Sequence, residues 1–219
     1  MKTLKILNAY AGIGGNRKLW TDVEVTAVEL NPEIAAIYKD FFPEDEVIVA
    51  DAHQYLLDHY KEYDFIWSSP PCPTHSRMRY VTTKFKTDCP GYDRDVVYAD
   101  MKLYQEVILL EKYHTGLWVV ENVIPYYTPL IPAREISRHL FWSNFIINKN
   151  IKFETADIRF GKVSEYEDQH GFDISKYKIK HRKDQILRNC VNPDLGLYIL
   201  EQARGIIREE NAQQTKLEI

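Results

Sequence analysis

The stretch LKILNAYAGIGG, residues 4–15, and the related VEVTAVELNPEI, residues 23–34, decide the fold. Each is a short apolar run that stops at turn chemistry, glycines in the first and Asn31-Pro32 in the second. Asn31 is a helix N-cap residue, Pro32 suits the first helical position, and Glu33 is a carboxylate favoured at a helix N-terminus. The unit is strand, turn, helix, and it recurs. Strand-like Val47–Ala50, Asp64–Trp67 and Leu117–Glu121 alternate with helically spaced apolar residues in 31–42, 52–60 and 94–114. Such alternation predicts an α/β fold, a mostly parallel sheet with helices on both faces. Asn192-Pro193-Asp194 opens a last helix, with Leu195, Ile199 and Ala203 at core-facing spacing. Residues 148–182 show no clear period, which leaves an inserted subdomain or a long ordered loop. The expected organisation is a main domain over 1–147, a short insert over 148–183, and a segment 184–219 that returns to the main domain, its end frayed.

The chain has 219 residues, enough for one domain with a sizeable core. Its 45% hydrophobic and 27% charged residues are those of a soluble globular protein. No run is apolar enough to span a membrane, and the start lacks a cleavable signal, so a cytoplasmic protein is expected. Cys72, Cys89 and Cys190 are widely spaced, without CxxC or paired histidines, which predicts reduced thiols and no metal site. A formal charge of -4 argues against a generally basic nucleic-acid coat, yet the basic residues cluster.

The glycine turn Tyr10-Ala11-Gly12-Ile13-Gly14-Gly15 lets backbone approach a ligand at the end of the first strand. By itself such a turn is as often structural. Glu29 ends the second strand, where an acid meets ribose hydroxyls in a nucleotide crevice. Asp51 ends the third, where a carboxylate can accept from an adenine amino group. Either alone reads as a solvated strand-end acid; three ligand-type positions at successive strand ends favour a binding site. GIGG is not GxGxxG, which lowers the expectation of a dinucleotide and favours a nucleoside without a pyrophosphate, such as S-adenosylmethionine.

The fourth strand runs into Ser68-Ser69-Pro70-Pro71-Cys72-Pro73, on the same edge of the sheet. Proline fixes φ and biases its predecessor to extended geometry, so Cys72 is held rigidly beside that crevice, as a nucleophile would be. A lone cysteine is more often a packing residue; its place on the crevice edge favours chemistry. The fifth strand stops at Glu121-Asn122. Burial of a carboxyl there favours a form able to donate a proton to a ring nitrogen.

In this order, AYAGIGG (9–15), VELNPEIAAIY (28–38), SPPCPTHS (69–76) and WVVENV (118–123) resemble motifs of the cytosine-5 DNA methyltransferase family, and RNCVNP (188–193) is similar to that family's last motif. The resemblance implies a Rossmann-like S-adenosylmethionine-dependent methyltransferase fold, with S-adenosylhomocysteine as product. It implies that Cys72 attacks C6 of a flipped cytosine, that Glu121 contacts N3, and that Asn122 holds the loop carrying Glu121. Cofactor contacts would fall at Tyr10, Ala11, Gly12, Ile13, Gly14, Gly15, Glu29, Leu30, Asp51, Ala52, Pro70, Asn189 and Val191. Asn8 replaces the family's usual Asp, Pro73 its Gln, and Arg188 its Gly. The family's arginine-rich, base-holding motif is best matched by REISRHLF (134–141), with Arg138 chosen.

Family members generally carry a long target-recognition region before the last motif, and here only 148–182 can serve, which predicts a short or relaxed target. Substrate contacts are expected from Ser76, Arg77, Arg79, Lys84 and Lys86 after the nucleophile, and from Lys180 and Arg182 in a second basic cluster, to duplex DNA. The rivals are transfer RNA methylation by a branch of the same family and an inactive DNA-binding relative. A zinc deaminase lacks its H-x-E and C-x-x-C here. By analogy, small enzymes of this kind are similar to those of viruses and mobile elements that protect DNA in restriction-modification.

Overall fold

The computed structural model describes residues 3–77, 98–148 and 161–205. Seven strands, β1 (Leu4–Ala9), β2 (Val23–Glu29), β3 (Glu46–Val49), β4 (Phe65–Ser68), β5 (Leu117–Val123), β6 (Arg134–Ile136) and β7 (His139–Ser143), form one sheet in the order β3-β2-β1-β4-β5-β7-β6. β1 to β5 are parallel; β7 is antiparallel to β5, and β6 to β7. The sheet is thus mostly parallel and Rossmann-like, as expected.

Burial on both faces explains the near-continuous apolar strands. Leu7, Val28, Ile66 and Val120 pack against α2 (Ala52–His59) and α3 (Lys102–Tyr113) through Leu56, Leu103, Val107 and Leu110. Their chain neighbours Ile6, Phe65, Trp67 and Val119 face the other way, onto Leu195, Tyr198 and Ile199 of α6 (Pro193–Ala203). On that side α1 (Pro32–Phe41) covers Ala27 with Tyr38.

The expected caps are present. Asn31 Oδ1 accepts from the N–H of Glu33 at 2.8 Å and of Ile34 at 3.3 Å, and Asn192 Oδ1 accepts from Asp194 at 2.9 Å and Leu195 at 3.2 Å. α3 starts at Lys102, later than the helical spacing suggested: 98–101 are not helical, and 94–97 lie outside the described residues. Within the expected insert, α4 (Val163–His170) and Phe172 and Ile174 pack on Ile13 and Ile37 of the main body, beside α5 (Lys183–Arg188). The β6–β7 hairpin lies where sequence patterning indicated no strand; β6 has only three residues, too few to show a period.

β1 is the point where strand order reverses, with β2 on one side and β4 on the other. Ligands in open parallel sheets bind at the carboxyl ends of strands beside such a switch. Tyr10 and Ser69 follow those two ends.

Candidate active site

The turn after β1 is built around one carboxylate. Glu29 Oε2 accepts from Gly12 N at 3.0 Å and Oε1 from Asn31 N at 2.8 Å, so it ties the glycine turn to the start of α1. Each oxygen keeps a lone pair for a further donor. Gly14 has φ 86°, and a Cβ there would lie 2.4 Å from the Phe42 ring. A Cβ on Gly15 would lie 2.6 Å from the Val191 carbonyl oxygen, so the segment from Asn189 to Val191 lies directly on the turn. Asn8 finds a buried partner in Asn16: their amides exchange hydrogen bonds at 2.8 and 3.4 Å, which uses a donor that aspartate lacks.

Tyr10 itself is left-handed, with φ 59°, and its hydroxyl donates to Glu106 at 2.6 Å. Ser68 Oγ donates to the other oxygen of Glu106 at 2.6 Å, and His53 Nδ1 lies 2.8 Å from the first. Glu106 is 1% exposed and joins the ends of β1 and β4 to α2. The sequence reading missed it, because a single glutamate within a helical pattern reads as solvated.

The Cys72 loop is pinned along its length. Asn122 Nδ2 donates to the Pro70 carbonyl at 2.8 Å, and the Cys72 carbonyl accepts from the N–H of His75 and Ser76, both at 3.0 Å. Tyr126 N donates to His75 O at 3.1 Å, Arg77 Nε donates to Pro125 O at 3.3 Å, and Ser76 bridges Pro125. His75 Nδ1 meets the Tyr127 hydroxyl at 2.5 Å. The exit of β5 and the cysteine loop are thereby one unit, which fixes Cys72 relative to Glu121.

Both groups line one cleft of about 520 Å³. Its walls also include Tyr10, Ala11, Gly12, Ile13, Gly15, Glu29, Leu30, Asp51, Ala52, Pro70, Asn122, Asn189 and Val191. Gly14 packs beneath, against Phe42 and Tyr38. Burial pushes the Cys72 thiol up to about 11, and the Glu121 carboxylate adds to the rise. Asp51, expected to end the third strand, stands two residues beyond β3 and caps α2, accepting from His53 N at 2.9 Å and Gln54 N at 3.3 Å.

In REISRHLF the residue that lines the cleft is His139, whose Nε2 is 3.7 Å from Glu121 Oε1. Arg138 sits at the hairpin turn after Ser137, whose φ is 54°, near enough to His170 to depress its basicity. Lys180 and Arg182 are exposed, and Arg182 is held by Asp184 at 2.7 and 3.1 Å. Arg79, Lys84 and Lys86 lie outside the described residues. Among the described residues no cluster of metal-ligating side chains occurs, and no helix is long and apolar enough to cross a membrane.

No protein-family model matches the chain, and no curated protein matches it. Solved structures overlap it in part. The chain is similar to the Entamoeba histolytica methyltransferase EhMeth, with 14% identity, 76% of this chain and 60% of that one covered, and a TM-score of 0.41. It is similar to a DNMT2 variant of Spodoptera frugiperda, with 25% identity, 55% and 35% covered, and a TM-score of 0.36. It is also similar to an S-adenosylmethionine-dependent methyltransferase of Agrobacterium tumefaciens, with 15% identity, 57% and 40% covered, and a TM-score of 0.38. Overlaps of this size leave the assignment of activity to the residues of the cleft.

Proposed function

We propose that the protein transfers a methyl group from S-adenosylmethionine to C5 of cytosine in DNA, through a covalent bond between Cys72 and the base. One observation carries the proposal. A rigidly held thiol and a buried strand-end carboxyl line the same cleft as a glycine turn and an acid placed for ribose.

The cleft suits a nucleoside-sized ligand in volume, within the usual range for small-molecule sites. Residues able to hold it are Glu29, through its remaining lone pairs, Asp51, and the backbone around Gly12 and Val191. When bound, S-adenosylmethionine supplies the methyl group. The chain's own residues do the rest. Cys72 sulfur forms a bond to C6, the C5–C6 π pair shifts to C5–C4, and the C4–N3 pair takes a proton from Glu121 at N3. After methylation C5 loses its proton to water, the S–C6 bond breaks, N3 returns its proton to Glu121, and the ring and the sulfur nucleophile are restored.

The reacting pair, a Cys72 thiolate beside a neutral Glu121 carboxyl, carries a single negative charge, so the chemistry does not bury a second one, which the low dielectric would penalise.

The test is transfer of labelled methyl from S-adenosylmethionine to duplex DNA, single-stranded DNA and transfer RNA, with Cys72→Ala beside the native protein. Label in DNA that vanishes in the variant supports the proposal. Label in transfer RNA alone would move the substrate to RNA, and no label with cofactor bound would leave a binding relative.

A further inference from the structure

We infer that His75 is a positioning residue: its Nδ1, accepting from the Tyr127 hydroxyl, latches the loop after the nucleophile to the segment after Glu121 and so sets the thiol against the carboxyl. Its part in catalysis rests on the reaction proposed above. His75 is 1% exposed, and its Nδ1 meets the Tyr127 hydroxyl at 2.5 Å. Tyr127 lies on the chain that leaves β5, shortly after Glu121 and Asn122. Its oxygen accepts from the Tyr104 hydroxyl at a longer 3.4 Å, and the Tyr104 oxygen accepts from Leu130 N at 3.2 Å. Each hydroxyl in this relay receives on its oxygen and passes its own hydrogen on, so Tyr127 donates and Nδ1 accepts. Burial keeps both groups in the forms this requires, lowering the basicity of His75 and holding the Tyr127 hydroxyl protonated.

A neutral imidazole that accepts at Nδ1 carries its proton on Nε2, and Nε2 is buried with no partner among the described residues. A phenyl ring of similar outline would fill this place without stranding a donor. What the imidazole adds is the bond to Tyr127. Asn122 fixes the approach to Cys72 through the Pro70 carbonyl, and His75 fixes the exit. The main chain runs alongside, with His75 N donating to the Cys72 carbonyl at 3.0 Å and Tyr126 N to the His75 carbonyl at 3.1 Å, so a displaced imidazole shifts the peptide that carries the thiol. The reaction asks two groups from different strand ends to meet one ring, sulfur at C6 and carboxyl at N3. A misplacement of about 1 Å in such a pair costs on the order of a hundredfold in rate. The latch ties the two strand exits together from behind the cleft, since neither His75 nor Tyr127 stands in its wall.

The experiment compares the native protein with His75→Phe, Tyr127→Phe and His75→Asn, whose Oδ1 takes the place of Nδ1. Methyl transfer from S-adenosylmethionine to random-sequence duplex DNA, and to transfer RNA in parallel, gives kcat and the KM for cofactor. Alkylation by iodoacetamide, read by peptide mass, gives separate rates at Cys72 and Cys190. Both phenylalanine variants should lose kcat on the order of tenfold with the cofactor KM unchanged, and His75→Asn should recover most of it. A loosened loop relieves the burial of its thiol, so Cys72 should alkylate severalfold faster in the same two variants. Cys190, whose sulfur donates to the Ile186 carbonyl at 3.5 Å away from the latch, should keep its native rate. Tyr127→Phe removes a hydroxyl alone and serves if His75→Phe does not fold. A native kcat in Tyr127→Phe, or equal acceleration at Cys190, would overturn the latch and leave the reaction standing. Absence of methyl transfer from the native protein on both nucleic acids, with the Cys72 alkylation pattern as expected, would overturn the reaction and leave the latch as a fixture of the loop.

Discussion

Burial and the neighbouring Glu121 carboxylate both make ionisation of Cys72 costlier, which gives the thiol a measurable signature. With burial and Glu121 together holding it up to about 11, its alkylation by iodoacetamide should be slow in mildly alkaline buffer. Glu121→Gln removes the charge and keeps the shape, so the alkylation rate should rise severalfold and the midpoint of its pH profile should fall. An unchanged profile would mean that burial alone sets the thiol. Glu106 is the second residue with large leverage. Glu106→Ala would strand the hydroxyls of Tyr10 and Ser68, at a cost of about 3 kcal/mol in denaturant unfolding. Its hydrogen bond to His53 raises that imidazole above its ordinary value of 6.5. A raised histidine stabilises fully below its unfolded value and loses that contribution as pH climbs through the folded one. The native protein should therefore lose stability from just above pH 6.5 upward relative to His53→Gln; parallel pH-stability curves for the two would remove the pair's contribution.

At the level of elements, α4 and the residues after it pack on the main body through Tyr166, Phe172 and Ile174, and the helix ends in a histidine that folding keeps neutral. Burial, with help from Lys18 and Arg138, lowers His170 from 6.5 to about 4. The unfolded chain binds the extra proton between those values, so stability rises with pH across them and is lost as pH falls from 6.5 toward 4. The loss amounts to about 3 kcal/mol at most. Amide exchange in 163–174 should accelerate over that interval, and His170→Gln should show no such dependence. β1 to β5, α1 and α6 were legible from sequence because both faces of each strand are apolar and the caps are Asn-Pro pairs. α4 was not, since its cap is Lys162, which lacks the usual cap chemistry, and only Tyr166 and His170 are buried along it. The site was legible to the same degree. Strand-end residues such as Glu29, Cys72 and Glu121 announce their edge of the sheet, whereas the choice between Arg138 and His139 depends on the register of β7 against β5, which no local pattern encodes.

On the scale of the whole molecule, the chain closes on its own beginning. The Asn189–Val191 segment lies on Gly15, Trp20 Nε1 donates to the Gly196 carbonyl at 3.0 Å, and Arg204 reaches the Thr21 carbonyl at 2.9 Å. A Cβ on Gly196 would stand 2.3 Å from the Asn16 carbonyl oxygen, backbone against helix, so Gly196→Ala should destabilise by about 2 kcal/mol and open the cleft wall. Thermal melting with and without S-adenosylmethionine measures both: a melting temperature equal to the native one would show that helix and turn separate freely. The same closure sets an order of events during synthesis. At roughly 5–20 residues per second the ribosome needs about ten to forty seconds to pass from the glycine turn to Val191. In the last part of that interval, once Glu121 has been made, the nascent chain has its thiol loop and its acid but lacks one wall of the cleft, and a message cut short upstream of Asn189 yields a product that never acquires it.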